Sequence, residues 1–255
     1  TGTSSLGDSG QFSLRTGDAT QGSGGNIELL VGAGDSGAGG DVRLLAGETS
    51  SKASAGGQII IAAGAGTSKD KNAGGRGGDV QVRGGDALGL GDKDSGGHVN
   101  VRAGRAEAGK GGQLEILSGT STLASSGSVR VMTAGAGEAG VSGQIIVSTG
   151  TATEGTSGSL AISTGRSVAG KGGSIEIAVG TGMLGPGGDI LLSAGMTADL
   201  ATGGSIDILT GHSETSTSGS MSIQTPDGGS EGASGAIVLS TGTSSVGVSG
   251  AVKII

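Results

Sequence analysis

The chain has 255 residues, of which 61 are glycine, one is aromatic, two are proline and none is cysteine, and its net charge is −7. This excludes the aromatic-rich core of an ordinary globular domain, which carries about 7% glycine, disulfide staples, and the basic face that nucleic acid requires. No run approaches about 18 consecutive apolar residues, so no transmembrane helix is expected.

Sixteen short strands are predicted in chain order, each opened by a glycine: Gly10, Gly25, Gly40, Gly57, Gly78, Gly97, Gly112, Gly127, Gly143, Gly158, Gly173, Gly188, Gly204, Gly219, Gly235 and Gly250. Most spacings are 15 or 16 residues, with 17, 21 and 19 across Gly40 to Gly97. Two residues after each of these anchors the side chain is apolar, from Phe12 and Ile27 to Ile237 and Val252. The same holds four residues after, from Leu14 and Leu29 to Leu239 and Ile254, which makes 32 apolar positions without exception. Such strict periodicity rules out a disordered glycine-rich linker.

Alternation with period two marks a short strand with one buried face. The sixth residue after the anchor shares that face and is small or β-branched, as in Thr16, Val31, Ala46, Thr149 and Thr164. The residue seven past the anchor is glycine in thirteen of fifteen cases, the exceptions being Ala134 and Pro226. A Gly/Ser/Thr-rich segment without β alternation follows, and an extended return is expected there. These features predict an all-β fold, a parallel β-solenoid of about 16 coils of 15–16 residues, each narrow coil having one strand and a glycine-rich extended return. Residues 1–255 are read as one continuous array. Both ends fall inside a repeat, which predicts a longer parent polypeptide. Longer charged loops are expected at 67–76 and 86–94.

On the outward face, Glu28 is expected beside Arg43, and Glu115 beside Arg130, as opposite charges on neighbouring coils. An apolar strip also faces outward: Leu30, Leu45, Ala62, Leu117, Met132 and Leu209 five past the anchor, with Ile60, Ile146, Leu191 and Val238 three past it. Such a strip suggests a lateral-contact surface for other copies or other segments of the same fibre. The Ser/Thr-rich returns are open to O-glycosylation, and Asn26, Asn72 and Asn100 lie in no N-glycosylation sequon.

No chemical cluster recurs. Asp92-Lys93-Asp94 has oxygens that suit calcium, with a lysine between them, and is read as a surface loop. His98 and His212 lie in different repeats and form no metal pair. The glycine strings lack the following helix of a phosphate-binding loop. No catalytic residue, metal or cofactor is expected.

Segments such as Gly39-Gly40-Asp41-Val42-Arg43-Leu44-Leu45-Ala46-Gly47 and Gly187-Gly188-Asp189-Ile190-Leu191-Leu192-Ser193-Ala194-Gly195 resemble the repeats of filamentous-haemagglutinin-type bacterial adhesins, which implies a right-handed β-helix on a cell surface. Gly143-Gln144-Ile145-Ile146-Val147-Ser148-Thr149-Gly150-Thr151 resembles the Gly/Ser/Thr-rich tandem arrays of large secreted algal and stramenopile surface proteins. That resemblance covers the whole chain, implies wall, coat or appendage material, and transfers no functional residue.

The expected function is therefore a structural repeat module of an extracellular fibre, filament or cell-surface coat. The alternative is a surface-binding solenoid, adhesive or ice-binding. The Thr149, Thr164, Thr210, Thr225 and Thr241 series has the regularity of an ice face but is expected to point inward. A β-helical carbohydrate-active enzyme is disfavoured because paired acids and aromatic sugar platforms are missing.

Overall fold

The computed structural model describes Thr1–Ile255. It overturns the expected fold class: the chain has no strand, no sheet and no helix, so it is not an all-β parallel β-solenoid. No side chain is buried, and the accessible surface is 25840 Å². A compact 23.7 kDa protein exposes about 9,800 Å² and the unfolded chain about 34,000 Å². The surface therefore lies nearer the unfolded limit. Ten backbone–backbone hydrogen bonds are present, against roughly one hydrogen bond per residue in a globular protein.

The physical reason lies in the returns. A solenoid needs each return to run back and place the next strand beside the start of the previous one. Here the return closes on itself. The anchor amide of one repeat donates to the carbonyl seven residues past the preceding anchor: Gly57 to Gly47, Gly78 to Gly64 and Gly97 to Gly85 at 2.8–2.9 Å. Gly112 to Gly104, Gly127 to Gly119, Gly204 to Gly195 and Gly219 to Gly211 repeat the pattern at 2.9 Å. Seven of the fifteen returns are thus loops closed by a hydrogen bond at a neck, in the manner of an Ω-loop, and in the other eight the sixth residue's side chain lies against the next anchor. The next segment begins where the last one ended, so its backbone has no neighbour to pair with.

The repeat is nonetheless written into the structure. One bend falls in every return, most often three to five residues before the anchor, as at 5–7, 107–109, 168–170 and 245–247, and none falls within an anchor-led segment. Gly7, Gly37, Gly155 and Gly185 take left-handed φ values of 84–101° at the same place, three residues before the anchor.

Neck geometry follows the sixth residue after the anchor. All six repeats with Ala, Gly or Ser there (Ala46, Ala63, Gly84, Ala103, Ser118 and Ala194) have the neck hydrogen bond. Of the nine with Thr or Val, only Thr210 does. A branched side chain fills the space at the anchor instead: a β-carbon on Gly40 would come within 2.7 Å of Val31 Cγ1, and one on Gly188 within 2.9 Å of Val179 Cγ1. This occupancy leaves no room for a β-carbon at Gly40 and Gly188.

The chain divides into two units, Thr1–Val131 and Met132–Ile255. In the first, five successive necks from Gly47–Gly57 to Gly119–Gly127 are hydrogen-bonded. In the second, the necks after Thr133, Thr149, Thr164 and Val179 are open, two closed necks follow, and those after Thr225 and Thr241 are open again.

Candidate interaction surface

Sidedness survives without a sheet. The side chains two past the anchor are 48–59% exposed, Phe12 apart, and those four past it 61–76%, Ile254 apart. Six of the seven residues that are not fully exposed in class, among them Ala103, Thr133 and Thr225, stand six past the anchor, against the neck. The expected buried face is therefore not buried, and only its sixth residue lies against a neck.

The strip residues are more open than the rows two and four past the anchor. Leu30, Leu45, Ile60, Leu117, Met132, Ile146, Leu191, Leu209 and Val238 are 73–90% exposed, and Ala62 is exposed as well. They fall in nine of the sixteen segments, with no intramolecular cover.

The expected charge pairs do not form. Arg43 turns to Asp41 on its own segment, Nη2 to Oδ2 at 2.8 Å. The other ion pairs are Arg83–Asp86 at 3.8 Å and Arg105–Glu107 at 3.4 Å. Glu28, Glu115 and Arg130 take part in none. The reason is the missing coil stack, which alone would have set neighbouring segments side by side.

The two long loops are organised by their own residues. In 67–76, Asp70 Oδ1 accepts from the Asn72 and Ala73 amides at 2.8 and 3.1 Å, an Asx turn. In 86–94, the Asp94 amide donates to the Gly91 carbonyl and Asp94 Oδ2 accepts from the Gly91 amide, both at 3.0 Å. One carboxylate of the Asp92–Asp94 pair is thereby used in closing a turn. No group of three His, Asp or Glu side chains comes together, and there is no cavity. His98 and His212 are exposed in separate repeats. No helix is long and apolar enough to cross a membrane.

The relationship the sequence did not reveal is the neck contact between the sixth residue of one repeat and the anchor of the next. Its signal was present in the invariance of the anchor glycine. No family model, curated protein or solved structure matches the chain.

Proposed function

We propose that the chain is a structural repeat module of an extracellular fibre, filament or cell-surface coat, acting by lateral association with other copies or other segments of the same fibre. The observation that carries this reading is the outward strip at three and five past the anchor, whose nine large side chains from Leu30 to Val238 are 73–90% exposed with no intramolecular cover. Apolar surface in such quantity marks an interaction site in a soluble protein.

The magnitudes favour a partner. About 1.5–3 kcal/mol per buried aliphatic side chain, at about 25 cal/mol per Å², corresponds to about 60–120 Å² each. At about four-fifths exposure, the nine large strip side chains present about 400–900 Å², of the order of the roughly 800 Å² that each partner contributes to a stable complex. Stacking of coils within the chain plays no part in this mechanism. The Ser/Thr-rich returns, all at the surface, remain available to O-glycosylation.

An adhesive or ice-binding surface would use the same rows against a foreign partner. Against an ice face stands the placement of the threonine series: Thr164 and Thr225 donate their hydroxyls to the Gly173 and Gly235 carbonyls at 3.4 and 3.2 Å. Electron microscopy of the purified chain tests the structural reading. Elongated assemblies that disappear in Leu30→Asp/Leu45→Asp/Leu209→Asp support it; isolated single chains at every concentration, together with thermal hysteresis, overturn it.

A further inference from the structure

Resting on that reading, we infer that the partner is a second copy of this chain, lying parallel and displaced by one repeat. The residues three past the anchor decide the register. With two copies in register, Glu28, Arg43, Glu115, Arg130, Glu176, Asp207 and Lys253 would each face its own duplicate, and like charges directly opposite repel. Displaced by one repeat, no residue of this row meets a like charge, while Glu28 meets Arg43 and Glu115 meets Arg130. Within the chain these two pairs are unmade: Glu28, Glu115 and Arg130 have no ionic partner, and Arg43 is held only by exposed Asp41.

A displacement by one repeat requires that repeats of different length match. The necks make them match. The loop from Gly64 to Gly78 closes at 2.9 Å, the same distance as the shorter loop from Gly104 to Gly112. Extra residues are looped out rather than inserted between segments.

The displacement has a structural consequence. In-register pairing is a closed, isologous dimer, whereas a displaced contact is heterologous and leaves an overhang of one repeat on each copy.

The absence of cysteine allows a direct test by cross-linking. Two single variants, Ile146→Cys and Ala161→Cys, place thiols three past adjacent anchors, at exposed positions. Mild oxidation of the mixture should give a heterodimer, and oxidation of either variant alone should give none. Homodimers from each variant alone would overturn the displacement while leaving lateral association standing. Association in the ultracentrifuge without either cross-link would overturn the choice of face. Absence of association would remove the proposed function as well. In parallel, Glu115→Arg or Arg130→Glu should weaken association about two- to fivefold, the range of an exposed ion pair, and the double reversal should restore it. Reversals whose effects simply add would contradict the pairing.

Discussion

Thr164 lies against Gly173: its Cβ and Cγ2 are both 3.2 Å from where a β-carbon on that glycine would stand, and its hydroxyl donates to the Gly173 carbonyl at 3.4 Å. The same relationship recurs between Thr225 and Gly235. One residue of each repeat thus sets the form of the neck that leads into the next.

Replacing Thr164 by alanine should convert this open neck to the closed kind, with the Gly173 amide donating to the Gly165 carbonyl. A net hydrogen bond of about 1 kcal/mol predicts that Gly173 amide exchange slows about fivefold. The reverse change, Ala103→Val, should free the Gly112 amide from Gly104, to which it is bonded at 2.9 Å, and speed its exchange by a similar factor. Unchanged exchange in both variants would refute the rule that the sixth residue governs the neck.

The anchor glycine should be intolerant where its neighbour before it is not. A β-carbon on Gly40 meets Val31 Cγ1 at 2.7 Å, whereas one on Gly39 meets nothing within 4 Å. Gly40→Ala should shift the Val31 methyl resonances strongly, Gly39→Ala should leave them in place, and Val31→Ala should make Gly40→Ala tolerable.

Ala53 holds φ at 58° in the return between Gly47 and Gly57, a conformation that costs a non-glycine residue about 1–2 kcal/mol. Ala53→Gly should relieve that strain and strengthen the Gly57–Gly47 bond of 2.9 Å. Slower exchange of the Gly57 amide is the expected readout.

Loop length should matter little. Necks close alike around returns as different as Gly64–Gly78 and Gly119–Gly127, both at 2.9 Å, and doubling a flexible loop costs only about 0.6 kcal/mol. Inserting Gly-Ser-Gly-Ser after Ser121 should leave the Gly127 amide protected and association unchanged, as measured by exchange and sedimentation.

The repeat, its register and its two faces were legible in the sequence, because alternation at Val42 and Leu44 or Ile175 and Ile177 reports which side chains share a side. What pairs with that side was not. Period-two alternation is a local property, whereas a sheet requires the backbone of one repeat to reach that of another. Gly104 and Gly112, at the two ends of one return, bond to each other across a short loop. The next segment therefore never comes alongside. The strip from Leu30 to Val238 is exposed like the rest of the chain, exposure alone does not bring its members together, and Glu28 with Arg43 shows how a pairing inferred from stacking fails when the stack is absent.

Sedimentation velocity over a hundredfold range of concentration, comparing the chain with Leu30→Asp/Leu45→Asp/Leu209→Asp, bears most directly on the claim that exposed periodic rows serve lateral assembly. The chain itself should sediment as growing, concentration-dependent species, and the variant as a single species. A wild-type chain that sediments as one slow species throughout, indistinguishable from the variant, would contradict it.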